Sequence, residues 1–258
     1  MSWIVLSRWD APVERIVMMQ NRFERYLPPF FFPETQTLQV WRHVVGSDPA
    51  TDECVFHETD EAFYVGVGRS RSNNLLFISS GSAITSEERI LLADNPAGQW
   101  RVLLPRKSDV EYSASHRGDH IFITMRDEAR PNSEVLVAPL DNPTALQVLV
   151  PHDDNVKIEG ISVSKDFLAV FERREGLQSC TVYRLPDEGS VPTELGNGTR
   201  LEFDEPAYEL HAGAQGDFDS PILRLVYSSM TTPISTLDHN MATGKRCVGQ
   251  SMLCKGAK

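Results

Sequence analysis

Cysteine is scarce in this chain. Its 258 residues include four, at 54, 180, 247 and 254, and none are spaced Cys-x-x-Cys. Neither a zinc knuckle nor a redox pair is signalled, and the reading is free thiols in a reducing compartment. Long apolar runs are missing too. Trp3-Ile-Val-Leu6 is too short for a signal-peptide core and is followed by Arg8 and Asp10. No run approaches the length of a membrane span. A cytoplasmic chain is expected, and the sequon Asn197-Gly-Thr199 reads as a turn. Basic charge is also in short supply. Lys and Arg number 25 against 36 Asp and Glu, a net charge of −11. That argues against nucleic acid or an anionic membrane surface as partner, since both require basic patches. It suits a basic peptide, although many soluble proteins are equally acidic.

The common catalytic signatures are absent as well. A nucleophile elbow needs Gly-x-Ser-x-Gly, and the chain has none. Gly66-Val-Gly68-Arg-Ser70 and Gly81-Ser82 come closest, both in hairpin context. Gly66-x-Gly68 lacks the following helix that would cradle phosphate. The seven histidines are scattered at 43, 57, 116, 120, 152, 211 and 239. His116 and His120 have the spacing of a helical metal pair, but Arg117-Gly-Asp119 between them is a turn. His57 with Glu58, Asp60 and Glu61 has the makings of an acid–base cluster, and reads better as the start of a solvated loop. The single Trp9-Asp10 is not a repeat signature. The pairs Asp127-Glu128, Asp153-Asp154 and Asp204-Glu205 fall between strands as solvated charge, with electrostatic steering of basic peptides as a weaker reading. No catalytic, cofactor-binding or metal-binding residue is assigned, and no cofactor is expected.

What the chain does have is an internal repeat. Asp48-Pro49, Asp94-Asn-Pro96 and Asp141-Asn-Pro143 are turns whose prolines stand 47 residues apart, and Asp187-Glu-Gly189 and Thr243-Gly244 continue the series less regularly. Each turn follows a β-rich run: Leu38 to Val45, Arg89 to Leu92, Glu134 to Ala138, Cys180 to Leu185 and Ile234 to Met241. Each unit also opens with two strands around a polar turn. Ala62 to Val67 faces Leu75 to Ile78, Glu111 to Ser115 faces Ile121 to Met125, Glu159 to Val163 faces Phe167 to Phe171, and Tyr208 to Ala212 faces Ile222 to Tyr227. Leu223, Leu225 and Tyr227 alternate with Arg224, Val226 and Ser228, the period of a half-buried strand. Thr85-Ser-Glu-Glu88 resembles a helix capping box, but Arg89-Ile-Leu-Leu92 fits the third strand of its unit better. About four strands in under about 50 residues is a propeller blade. The fold class is therefore all-β, a partial β-propeller of about five four-stranded blades. Residues 1–250 form the propeller segment and 251–258 an unpatterned tail.

The wording of the blades adds a resemblance. Tyr227-Ser-Ser-Met-Thr-Thr-Pro233 with Met241-Ala-Thr-Gly244, Gln39-Val-Trp-Arg-His43, Leu104-Pro-Arg-Lys107 with Glu111-Tyr-Ser113, Ile158-Glu-Gly160 and Phe203-Asp-Glu-Pro-Ala-Tyr208 run in order along residues 1 to 250. Together they resemble the oligopeptidase B-like branch of the prolyl oligopeptidase family of serine peptidases. The resemblance implies a seven-bladed propeller that gates an α/β-hydrolase domain cleaving short peptides after Lys or Arg. The triad lies in that hydrolase domain and maps onto no position here. The resemblance also implies a segment that begins after the first blades and ends with the last, so that a partner chain or further sequence completes the ring. A stand-alone propeller binding a peptide or a partner protein is the other reading. His239-Asn240 stand where the family has an apolar and an acidic residue, so a poorly packed last blade is expected.

Overall fold

The computed structural model describes residues 3–6, 14–19, 38–44 and 46–251. Trp9-Asp10, Cys254 and most of the tail lie outside the described residues. Among the described residues, twenty strands form five four-stranded sheets. Blade I holds β1 (Trp3–Leu6), β2 (Glu14–Met19), β3 (Leu38–Val44) and β4 (Glu53–Glu58). Blade II holds β5 (Tyr64–Arg69), β6 (Leu75–Gly81), β7 (Ser86–Leu92) and β8 (Arg101–Val102). Blade III holds β9 (Glu111–Arg117), β10 (His120–Asp127), β11 (Arg130–Pro139) and β12 (Gln147–Val150). Blade IV holds β13 (Val156–Val163), β14 (Phe167–Arg174), β15 (Leu177–Arg184) and β16 (Thr199–Arg200). Blade V holds β17 (Tyr208–Ala212), β18 (Ile222–Ser229), β19 (Ser235–Asn240) and β20 (Arg246–Ser251). Strands follow chain order in every sheet, as propeller meanders do. The one helical element among the described residues is a 3₁₀ turn, Pro49–Thr51, capped by the Asp48 carboxylate. Thr85-Ser-Glu-Glu88 is no helix start, because Ser86 onward is β7.

The chain divides into two compact units, Met1–Tyr112 and Ser113–Lys258. In the first, Val40 of β3 packs with Val65 and Ile78 of blade II, and Trp100 completes the cluster. In the second, β14 explains its own sequence. Phe167-Leu-Ala-Val-Phe171 is a continuous apolar run because both faces are covered. Leu168 and Val170 join Phe122, Val135 and Val137 of blade III. Phe167, Ala169 and Phe171 join Leu210, Leu223, Leu225 and Leu237 of blade V. Turn chemistry matches the strands. Glu175 and Gly176 both have positive φ (51° and 83°) and close a two-residue hairpin with Arg174 opposite Leu177.

Blade V corrects the expectation of poor packing. Ser235, Leu237 and His239 alternate inward along β19, and all four strands pair, with a bulge between Thr236 and Leu237 against β20. His239 occupies the inward position opposite Leu223. What the departure leaves is an imidazole Nδ1 with no protein partner, a lack shared by Nε of the cross-strand Arg246, and burial beside Arg246 lowers the pKa of the ring.

Among the described residues Arg117 is the largest wholly buried side chain, at 0% exposure. It is the last residue of β9, followed by Gly118 at φ +55°. A Cβ at Gly118 would sit 3.1 Å from the Glu188 carbonyl oxygen, so glycine suits both the turn and the close approach.

Candidate functional site

A polar cluster of the first unit is assembled from three separate segments. Glu58 ends β4 and is buried, while His57 beside it is exposed on the opposite side of the strand. His57 and Glu58 therefore do not form an acid–base pair, and the preferred reading of a solvated loop start holds for His57 but not for the buried Glu58. Glu58 instead accepts from Ser80 Oγ (2.6 Å), from Arg106 Nη2 and from the Asp60 amide (3.2 Å). Arg106 lies over the Phe63 ring with its Cζ 4.0 Å from the centroid, and its Nε is 3.8 Å from Glu87. Glu87 in turn pairs with Arg89 at 2.9 Å. Burial alone would raise the Glu58 pKa, but the bonds from Arg106, Ser80 and Asp60 outweigh it and bring it to about 2.

β7 places Glu87 and Glu88 on opposite faces, and both are buried. Glu88 faces a different environment, where its carboxyl accepts only from Ser79 Oγ (2.7 Å), its cross-strand neighbour. Burial there raises its pKa to about 7. Its amide donates to the Tyr112 hydroxyl (2.9 Å), which also donates to the Leu104 carbonyl (2.9 Å). Burial pushes Tyr112 up to about 12, so the phenol stays protonated. Tyr112→Phe is expected to strand the Glu88 N–H and cost about 1–3 kcal/mol. Denaturant unfolding of the variant measures this, and an unchanged midpoint contradicts it.

Beside this cluster opens a cleft of about 600 Å³. Its walls are the Asp60–Phe63 turn, the β6–β7 hairpin tip Ser82–Thr85, Arg106, and Ser108-Asp109. The hairpin is closed by Ser82 N donating to Thr85 O (2.8 Å). Asp109 has φ +61°, and its amide donates to Thr85 Oγ1 (3.0 Å).

The other residues singled out in the sequence do not converge. His116 and His120 are both buried near the β9–β10 turn, and burial lowers the His116 pKa. Among the described residues no group of three or more His, Cys, Asp or Glu is placed to hold a metal ion. Gly66 and Gly68 lie within β5, and Gly81-Ser82 leads into the hairpin tip. Asp127 is held below the usual carboxylate range by Arg130, and Glu205 accepts from Thr232 Oγ1. The Asp153 carboxylate closes a turn through the Asn155 amide (2.7 Å). No described helix is long and apolar enough to cross a membrane.

Comparison with known proteins identifies the family. The family described as prolyl oligopeptidase, N-terminal beta-propeller domain, matches residues 32–251. The chain belongs to the prolyl oligopeptidase N-terminal propeller family. Dipeptidyl aminopeptidase BI of Pseudoxanthomonas mexicana is 35% identical over 217 residues, which is 83% of this chain and 29% of that protein. Oligopeptidase B of Trypanosoma brucei with covalently bound antipain is 29% identical, with a TM-score of 0.79 over 92% of this chain and 32% of that one. Oligopeptidase B of Leishmania major shares the fold at a TM-score of 0.81 and 23% identity, over 97% of this chain and 34% of that one. This propeller-family chain thus spans about a third of the length of relatives it matches. Arg106 and Tyr112 were not predicted as site residues, yet both lie in segments that carried the resemblance, Leu104 to Lys107 and Glu111 to Ser113.

Proposed function

We propose that this chain is the propeller segment of an oligopeptidase B-like serine endopeptidase that cleaves short peptides after Lys or Arg. The observation that carries the reading is the family match over residues 32–251, joined to 35% identity with a dipeptidyl aminopeptidase. In that reading the propeller is part of a seven-bladed ring and gates access to a hydrolase domain outside this chain, in the cytoplasm. A serine there attacks the peptide carbonyl, a histidine takes its proton and an oxyanion hole holds the intermediate. The chain itself contains no Gly-x-Ser-x-Gly, so on its own it is expected not to hydrolyse an Arg-containing reporter peptide. Hydrolysis with labelling by an active-site serine reagent would overturn this.

The same missing motif favours a second reading, a non-catalytic propeller that binds a peptide or a partner chain. Sequencing the transcript through and beyond codon 258 separates the two. A frame running into Gly-x-Ser-x-Gly with later Asp and His supports the peptidase, and a stop supports the binding module.

A further inference from the structure

Two basic side chains face each other across the outer ladder of blade V. His239 of β19 is the register partner of Arg246 of β20. His239 is 5% exposed and Arg246 is half-buried. On its other side His239 meets Leu223 of β18, which is apolar and wholly buried. Nδ1 of His239 has no protein partner, and neither does Nε of Arg246. The arginine is otherwise held in place. Its Nη1 donates to the Glu202 carbonyl (3.1 Å), and its Cζ lies 4.1 Å from the centre of the Phe203 ring.

The groups around this pair do not offset a second cation. Asp204, the Cys180 thiol of β15, and the Tyr208 and Tyr227 hydroxyls of β17 and β18 all act on Arg246, in the direction that favours its charge. Asp238 precedes His239 but points to the other face of β19, where Arg224 binds it through two bonds of 2.7 and 2.8 Å. The charge that acts on His239 is that of Arg246. A neutral imidazole is tolerated at this position. An imidazolium would set like charges opposite each other in a ladder, and its Nδ1–H would lack an acceptor. The element able to yield is β20. It is the last strand of its sheet, Cys247 and Val248 on it are exposed, and its ladder already carries the bulge between Thr236 and Leu237.

We propose that His239 and Arg246 form an acid-sensitive latch, in which protonation of His239 releases β20 from the edge of blade V and leaves β17–β19 in place. The sign follows from linkage. Burial and Arg246 lower the pKa of the ring from 6.5, so below that value the released chain takes up the proton more readily than the closed blade. The latch is closed at higher pH and loosens on acidification. Glu88 in the first unit responds the other way, because burial raises its pKa to about 7. His116, whose pKa burial also lowers, lies on β9 of blade III, so a loss confined to β20 separates the two histidines. Opening bares the hydrogen-bonding edge of β19, a template for pairing with another chain. The latch does not depend on the peptidase reading.

The test is amide hydrogen exchange of the 258-residue chain in neutral and in mildly acidic buffer, with rates converted to protection factors. Protection of residues 246–249 is expected to fall about tenfold in acid, in step with the titration of the His239 ring followed by its proton shifts. Protection of β14 is expected to stay within about twofold. His239→Leu and His239→Gln should each abolish the fall, and either one suffices if the other folds poorly. Arg246→Gln should reduce it to about threefold, since the like charge is gone while the burial stays. No fall at β20, a fall that persists in the position-239 variants, a fall undiminished in Arg246→Gln, or an equal fall across β13–β19 overturns the latch.

Discussion

Replacing Arg117 by alanine is expected to remove about 1–3 kcal/mol of stability from the second unit. Arg117 is wholly buried, yet none of its hydrogen bonds goes to a carboxylate. Its Nε donates to the Lys165 carbonyl (2.6 Å) and its Nη2 to the Pro186 carbonyl. Both acceptors belong to blade IV loops, so one side chain on β9 ties the blade III turn to its neighbour. Asp166, Asp187 and Glu188 lie near enough to favour the cation, while burial pulls the other way and wins. Alanine would leave two carbonyls without a donor and a void the size of a guanidinium. Arg117→Met separates these terms, since it keeps most of the volume and none of the donors. Arg117→Lys should fall between wild type and alanine, because an ammonium cannot reproduce the planar fork. Hydrogen exchange across residues 117–120 and 164–167 reads the loss locally. A loss below about 1 kcal/mol for alanine, with methionine the same, would show that the pin contributes little.

The same residue shows where sequence reasoning stops. Arg117-Gly-Asp119 read as a polar hairpin turn, and the turn is there, with Gly118 in the left-handed region. That Arg117 points inward depends on partners 48 and 69 residues away, which no local pattern encodes. Blade architecture was legible because period-2 alternation and Asp/Pro turns are local signals. Leu223, Leu225 and Tyr227 are buried as their alternation required. The cleft was illegible for the opposite reason. Glu58 and Arg106 meet across 48 positions, and Ser-Glu-Glu-Arg in β7 looks solvated until its partners on other strands are known. His57 and Glu58 are adjacent in sequence and fail as a pair because a strand sends consecutive side chains to opposite faces.

Glu88→Gln is expected to stabilise the first unit at pH 8 and to flatten its pH dependence between about 4.5 and 7. Glu88 is 7% exposed, and its carboxyl has one hydrogen-bond donor, Ser79 Oγ. Its pKa is raised from 4.5 to about 7, chiefly by burial. The sign follows from linkage. Between those two values the folded state holds the proton more tightly than the unfolded state, so stability falls as pH rises. The protonated carboxyl's contribution is complete below about pH 4.5 and gone above about 7, a difference of about 3 kcal/mol at most. Glutamine carries no charge to desolvate and still accepts from Ser79, so it should keep the low-pH stability throughout. Glu58 sets the opposite limb. Its pKa of about 2 means that its contribution is present above about 4.5 and lost on acidification toward 2. The two carboxylates together place greatest stability in mildly acidic solution. Thermal melts of wild type and Glu88→Gln from pH 4 to 8 decide the matter. Curves that diverge with rising pH, glutamine above, are the expected result. Parallel curves would mean that Glu88 ionises without penalty, and that water or a rearranged Ser79 reaches it in the folded chain.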